Sequence, residues 1–179
     1  MYTVFIVSKR SRVGRRVGVM VSAMAVAVAT VSAVAGASPA HAAPSGASGT
    51  VVSTEPLPAR ITVPGAVDAK RITYWTKGVR DVPALSSGAV YLPPGTPPKG
   101  GWPVIAWAHG TVGLCDDATP SAQPQSERQQ FYLGHWLRHG YAVVATDYAG
   151  MGTPGLMSYL NGKVEAHNLI DSVQAARGL

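Results

Sequence analysis

The sequence has a single cysteine, Cys115, among its 179 residues. One thiol excludes an internal disulfide framework and any metal site built from several cysteines. A cysteine nucleophile is also disfavoured, because the adjacent carboxylates of Asp116 and Asp117 oppose formation of the thiolate that such chemistry needs. Two interpretations stay open for Cys115: a free, half-buried thiol, or one half of a disulfide whose partner is missing from this sequence.

Acidic residues are also scarce, with nine Asp and Glu against fifteen Lys and Arg. Residues 1–42 account for the imbalance, since they contain five of the basic residues and none of the acidic ones. Residues 43–179 keep ten basic and nine acidic residues, and the basic ones are scattered. Binding to nucleic acid needs clustered cationic side chains. The charge pattern therefore predicts no nucleic-acid partner.

Residues 1–42 show the pattern of a secretory signal peptide. Lys9 and four arginines precede an Ala/Val-rich run over residues 17–35, and Ala40-His41-Ala42 matches a small-x-small cleavage site. A membrane anchor is the alternative, because the run approaches the length that a bilayer requires. Polar residues dilute the run, so we expect cleavage after Ala42, no stable membrane span afterwards and an extracellular location. Arg15-Arg16 leaves both the general and the twin-arginine export routes open.

The composition divides the remaining chain in two. Residues 43–68 are rich in Pro, Ser, Gly and Thr with little periodicity, which predicts an exposed linker. Residues 69–179 predict an α/β domain that starts with strands near residues 72–76 and 88–92. Residues 104–108 and 141–146 are uniformly apolar runs, which are typical of strands covered on both faces of a parallel sheet.

Two helices complete the predicted domain. Residues 126–139 predict a helix that Ser126 caps and Gly140 ends. Because this helix joins two apolar strands, it predicts a right-handed parallel crossover. Apolar residues at helical spacing predict a second helix from Val164 to Arg177. A mostly parallel sheet that stopped there would have a buried strand edge with no neighbour, so we expect an incomplete fold.

Glycine-bearing loops follow both apolar strands. His109-Gly110-Thr111 comes after the first, and Asp147-Tyr148-Ala149-Gly150-Met151-Gly152-Thr153-Pro154-Gly155 comes after the second. The carboxyl ends of parallel strands are where ligands bind in open α/β sheets. We therefore expect a functional site where these two loops meet.

These motifs resemble those of the secretory lipases, of the lipase A type, in the α/β-hydrolase superfamily. The resemblance rests on the segment from Gly101 to Thr111, on the loop from Asp147 to Gly155, and on Asp171 with Ala175-Ala176-Arg177. It extends over the chain from about Lys70 onward. It implies an α/β-hydrolase fold and hydrolysis of carboxylic esters, including lipids, through a serine acyl-enzyme.

Within that resemblance, the backbone N–H of Thr111 is expected to donate to the oxyanion that forms during acyl transfer, while His109 and Gly110 shape the loop. The simpler alternative makes Thr111 an ordinary turn residue. His109 precedes the loop, so the resemblance gives it no role as general base. Asp147 comes before any possible nucleophile, whereas the fold runs Ser, Asp/Glu, His, and it is expected to cap a turn.

The sequence has no G-x-S-x-G motif, so no serine can be placed on the strand-to-helix turn that exposes the nucleophile. The resemblance places the triad beyond residue 179, and we expect the chain to be an inactive N-terminal portion of a hydrolase. It also implies that Cys115 pairs with a downstream cysteine, although Cys115 stands before Asp116-Asp117 where the family has an Ala-Pro-Ser-like segment.

No cofactor or metal site is predicted. His135, His139 and His167 lie on predicted helices without the spacing or acidic partner of a zinc site. Two alternatives to an ester hydrolase stay open. One is a secreted, non-catalytic binding module, and the other is a related α/β-hydrolase chemistry, such as that of a peptidase, acyltransferase or polyester hydrolase.

Overall fold

A computed structural model describes the backbone of residues 3–7 and all of residues 46–179. The predicted apolar run and cleavage site of the leader lie outside these residues. Within them, six strands form one sheet in the order β1-β5-β6-β4-β3-β2. The strands are β1 (Thr3–Val7), β2 (Val51–Pro56), β3 (Asp68–Lys77), β4 (Pro83–Leu92), β5 (Val104–Ala108) and β6 (Ala142–Thr146). The helices are α1 (Glu127–Arg138) and α2 (Gly162–Ala176).

The sheet is mixed, and the expectation of a mostly parallel sheet is wrong for the described strands. Only β5 and β6 run parallel, from the pair Val104↔Ala142 to the pair Ala108↔Thr146, and every other pairing is antiparallel. The connections explain this, because a parallel pair needs a long crossover and α1 supplies one between β5 and β6. A short turn over residues 78–82 joins β3 to β4 instead, which requires the two strands to reverse direction.

Strands β5 and β6 are covered on both faces, as their apolar composition predicts. Ile105 and Trp107 of β5 face one hydrophobic cluster together with Leu133 and Leu137 of α1. Ala106 lies between them in sequence and faces the opposite cluster, to which α2 contributes. Successive strand residues point to opposite faces, so a helix on each side makes the whole strand apolar. The expected strand–helix–strand unit is confirmed.

The two helices begin close to where the sequence places them. Ser126 caps α1, since its side chain accepts a hydrogen bond from the Gln129 N–H while the Gln129 side chain accepts one from the Ser126 N–H. This reciprocal capping box fixes the start of the helix. Helix α2 starts two residues before the predicted Val164, because the Asn161 side chain caps it by accepting from the Val164 N–H.

Residues 46–68, within the predicted linker 43–68, contribute more to the fold than an exposed linker would. Within this segment β2 pairs with β3, and Leu57, Ile61 and Val63 are buried in the cluster beneath α1. The segment crosses α1 so closely that a Cβ on Gly134 would lie 2.8 Å from the Pro64 carbonyl oxygen. Prolines interrupt these apolar residues and remove any periodicity, which is why composition alone predicts a linker.

In residues 3–7 and 46–179, no helix has both the length and the apolarity needed to cross a bilayer. The buried apolar residues form two clusters, one on each face of the sheet. The described elements form a partial α/β-hydrolase fold, with helices on both faces of a mixed sheet.

The core beneath α1 is tested by Leu133→Ala. Leu133 is fully buried, so truncation should lower the free energy of unfolding by about 2–5 kcal/mol through lost burial and a residual cavity. Phe131→Ala on the same helix is the matched control, since Phe131 is 74% exposed and should change stability by about 0.5 kcal/mol or less. Denaturant unfolding measures both. Equal losses would contradict the assignment of faces on α1.

Candidate functional site

The loops that follow β5 and β6 meet, as the sequence predicts, at a cavity of about 380 Å³. His109, Gly110 and Thr111 line it from the β5 side, and Tyr148 lines it from the β6 side. The remaining wall comes from residues 157–162 and from the first turns of α2. Parallel pairing of β5 and β6 brings the two loops to one edge of the sheet. The cavity is therefore the candidate functional site.

The His109 side chain is buried between the two loops. Its Nδ1 lies 2.7 Å from the Gly110 carbonyl oxygen, and its Nε2 lies 3.5 Å from the Asp147 carbonyl oxygen. The ring also stacks at a tilt on Tyr148, with centroids 4.6 Å apart. A carbonyl oxygen accepts hydrogen bonds and donates none, so Nδ1 is the donor to Gly110. These contacts join His109 to backbone atoms of both loops.

Tyr148 holds the β5 loop from the other side. Its hydroxyl donates to the His109 carbonyl oxygen over 3.0 Å, and burial, with a smaller contribution from the charge of Glu165, raises the pKa of Tyr148 to about 12. The residue has a φ of 71°, a left-handed conformation that is unfavourable for a bulky side chain. A hydrogen bond from the Tyr148 N–H to Thr146 Oγ1 helps to hold this conformation.

Thr111 lies at the mouth of the cavity. Its Oγ1 is 3.0 Å from the Tyr159 hydroxyl, which joins the β5 loop to the wall formed by residues 157–162. Among the hydrogen bonds of residues 46–179, none is donated by the Thr111 N–H. The site thus has a backbone donor beside its cavity that the described fold does not use.

Asp147 is a buried anchor for the segment that follows Thr111. Its carboxylate accepts from the Ser121 N–H over 2.9 Å, from the Ser121 hydroxyl, and from the Ser87 hydroxyl over 2.6 Å. Burial raises the pKa of Asp147, and these donors partly oppose the rise. The sequence predicts a turn cap at this position. In the structure the carboxylate ties the loop at Ser121 to β4 through Ser87.

Arg71 completes this network from β3. Its Nε donates to Ser121 Oγ over 2.9 Å, and its second guanidinium nitrogen lies 3.4 Å from Ser87 Oγ. Each hydroxyl therefore accepts from the guanidinium and donates to the carboxylate of Asp147. The rigid fork of donors in arginine suits this double contact. We define Arg71, Ser87, Ser121 and Asp147 as the buried anchor network.

Sequence reasoning missed most of this network. Ser87 and Ser121 are 60 and 26 residues from Asp147, and no local pattern links them. A usable signal was the polar pair Ser86-Ser87 inside an otherwise apolar strand, since buried hydroxyls in a strand need partners.

Helix α2 fixes the loop after β6 through Asn168, which is fully buried. Its Oδ1 accepts from the Ala149 N–H over 2.8 Å, and its Nδ2 donates to Thr76 Oγ1 and to the Lys77 carbonyl oxygen. A polar residue on the apolar face of a predicted helix is a signal for such a role. Gly150, in the same loop, has a φ of 79°, and a Cβ there would meet the backbone of residues 156–157 at 2.4 Å.

The remaining candidate residues lie away from the cavity. In the part of the chain that the structure describes, no three His, Cys, Asp or Glu side chains form a metal-binding group. His135 of α1 and His139, the C-cap residue of this helix, pack ring to ring with centroids 4.3 Å apart, and His139 Nδ1 lies 2.8 Å from the His135 carbonyl oxygen. Cys115 is a free thiol that is exposed, not half-buried, at the start of a 3₁₀ turn.

The anchor network is tested by Asp147→Ala. The substitution removes the acceptor of one N–H and two hydroxyls. It also removes the carboxylate that balances the charge of Arg71. We therefore expect the free energy of unfolding to fall by about 3–5 kcal/mol. Asp117→Ala is the control, because Asp117 is exposed on a neighbouring turn. Chemical denaturation compares the two variants. A loss below about 1 kcal/mol for Asp147→Ala would show that the network does not hold the loop.

The pH dependence of stability tests the raised pKa of Asp147. A raised pKa in the folded state means that protonated Asp147 stabilises the fold below the ordinary value of 3.8, and that this contribution is lost as the pH rises through the folded-state pKa. Asp147→Asn has no such titration. The stability of the native protein relative to this variant should therefore fall as the pH rises above 3.8. A rise with pH would contradict burial as the dominant cause.

Comparison with known proteins gives matches among solved structures alone. No family model matches the chain, and no curated protein matches it. Lipase A of Candida antarctica, in its closed state, aligns with a TM-score of 0.58 at 16% identity, over 73% of this chain and 32% of that protein. At this identity the likeness shows the fold.

The rice cell wall degrading esterase LipA from Xanthomonas oryzae, in a ligand-bound form, aligns with a TM-score of 0.56 at 28% identity. The match covers 74% of this chain and 38% of that esterase. The chain thus spans about a third of the length of the solved structures that it matches. The described residues of this chain have the part of the α/β-hydrolase fold that aligns with the lipase and the esterase. The candidate site lies at the carboxyl ends of β5 and β6.

Proposed function

We propose that this chain is the N-terminal portion of a secreted carboxylic-ester hydrolase, in which the candidate site binds the acyl group of the substrate. The observation on which the proposal rests is the unused Thr111 N–H beside the cavity. Acyl transfer develops negative charge on the carbonyl oxygen, and backbone donors that are already in place stabilise it. Thr111 would be one such donor, with His109 and Gly110 holding the loop in place.

The surroundings of the cavity support an ester or lipid substrate. Leu156 and Leu160 are 88% and 79% exposed, and Leu160 and Met157 line the cavity. Apolar walls with a few polar groups are typical of small-molecule sites. The matched protein from Xanthomonas oryzae, at 28% identity, is an esterase by name, which favours ester chemistry over the peptidase and acyltransferase alternatives.

The catalytic serine, acid and histidine belong, in this proposal, to residues beyond 179. The sequence contains no G-x-S-x-G, and neither His109 nor Asp147 is placed as a triad member, because His109 contacts backbone oxygens and Asp147 is engaged by serine hydroxyls. Export through the leader, with cleavage after Ala42, and pairing of Cys115 with a cysteine beyond residue 179 are parts of the same proposal. The exposed position of Cys115 leaves its thiol accessible to such a partner.

Absence of turnover is the first test. We expect the purified chain to hydrolyse a short-chain aryl ester no faster than buffer does, and a serine-directed inhibitor to leave that rate unchanged. The spontaneous rate of the ester, measured in the same buffer, is the control. Inhibitor-sensitive hydrolysis would place a nucleophile within these 179 residues and would overturn the assignment of the triad.

The role of the Thr111 N–H is tested by two variants. Thr111→Ala keeps the backbone donor, whereas Thr111→Pro removes it. Butyrate serves as an anionic acyl probe, and its binding is followed through amide chemical shifts of residues 109–113. We expect Thr111→Pro to weaken butyrate binding at least about tenfold, the equivalent of one lost charge-assisted hydrogen bond, and Thr111→Ala to leave it nearly unchanged. Equal weakening in both variants would assign the contact to the side chain, against the proposal.

A further inference from the structure

The cavity beside Thr111 has a carboxylate in its wall. Among the described residues that line the cavity, Glu165 from the first turn of α2 is the one acidic residue, and there is no Lys or Arg. His109 also lines the cavity, but its ring nitrogens lie against the carbonyl oxygens of Gly110 and Asp147. The wall therefore presents negative charge to a ligand.

The basic side chains beside Glu165 in α2 are engaged elsewhere. Lys163 Nζ lies 2.7 Å from Asp81 Oδ2, and His167 Nε2 lies 3.8 Å from Asp81 Oδ1. Among the side chains of residues 46–179, none forms an ion pair with Glu165. Burial, and to a smaller extent the charge of Glu165, raises the pKa of Tyr148 to about 12. The carboxylate thus acts on a hydroxyl group of the cavity wall.

Two tyrosine rings line the same cavity. Tyr148 contributes one, and the hydroxyl of Tyr159 lies 3.0 Å from Thr111 Oγ1, which places this phenol beside the expected oxyanion donor. Met157 and Leu160 add apolar contacts. The faces of aromatic rings attract cations, and quaternary ammonium groups are the ligands that aromatic cages recognise. A carboxylate, aromatic rings and apolar side chains together suit a cation whose charge is surrounded by methyl groups.

A simpler role for Glu165 is to stabilise α2, because acidic side chains in the first turn of a helix interact favourably with its dipole. Glu127 has the equivalent position in the first turn of α1, where it is exposed and does not line the cavity. Helix stabilisation depends on the position in the first turn, which both residues share. The two glutamates therefore differ in the property that matters for ligand binding.

We propose that Glu165 makes the candidate site selective for esters that carry a quaternary ammonium group, with the ester carbonyl at the Thr111 N–H and the cation beside Glu165, Tyr148 and Tyr159. The inference deepens the proposed function and rests on it for the ester carbonyl alone. The cavity of about 380 Å³ is of the size that small molecules occupy. An unpaired carboxylate opposes the negative charge of an oxyanion nearby, and a bound cation offsets that effect.

Two esters of the same shape test the selectivity. Acetylcholine carries the cation, and its neutral isostere has a carbon atom in place of the ammonium nitrogen. Binding to the purified chain is followed through amide chemical shifts of residues 109–113 and 157–166. We expect acetylcholine to bind at least about tenfold more tightly than the isostere. Glu165→Gln should lower this ratio to less than about threefold, whereas Glu127→Gln, the matched control, should keep it.

Tetramethylammonium separates the cation site from the ester proposal. It has no carbonyl group, so Thr111→Pro should change its binding by less than about twofold, and Glu165→Gln should weaken it at least about tenfold. Both esters should lose affinity by the same factor in Thr111→Pro, which tests the oxyanion donor and not the cation site. Equal binding of the two esters to the native chain, or unchanged binding of tetramethylammonium to Glu165→Gln, would overturn the selectivity and leave the role of Thr111 standing.

Discussion

Parallel pairing of β5 with β6 is the constraint on which the rest of the structure depends. The crossover through α1 makes these two strands point the same way, and both end at one edge of the sheet. Their loops therefore meet at the cavity, and the backbone of Thr111 lies beside residues from the β6 side. Had the strands been joined by a short turn, the two loops would lie at opposite ends of the sheet.

The buried anchor network fixes the position of the loop that follows β5 relative to the end of β6. Asp147 sits at the end of β6, and its carboxylate holds Ser121, which closes the loop that starts at Thr111. Arg71 balances the buried charge through two bridging hydroxyls. A buried carboxylate is costly unless donors surround it, so this loop is held by groups that have few alternative partners. In the proposed hydrolase the Thr111 N–H would need this rigidity, because an oxyanion site works when its donors are organised in advance.

The sequence predicted the strands and the helix cap that depend on residues close together in the chain. The uniformly apolar runs at 104–108 and 141–146 became the two doubly covered strands, and Ser126 became a helix cap. Features that depend on distant residues were missed. Ser87 and Ser121 gain their roles only when β4 and β6 lie side by side, and the buried residues at 57–63 lack any periodicity that would mark them as core. The excess of antiparallel pairing follows from connection lengths that composition does not reveal.

Residues 1–42 account for the excess of basic residues in the chain. Within them, Thr3–Val7 pairs with the outer edge of β5. In the proposed hydrolase, the oxyanion donor at Thr111 lies in this chain and the triad lies beyond residue 179. Sequencing the transcript past the codon for Leu179 tests this division. We expect an open reading frame that encodes G-x-S-x-G at the start of the next strand–helix unit, and a stop codon directly after Leu179 would contradict the proposal.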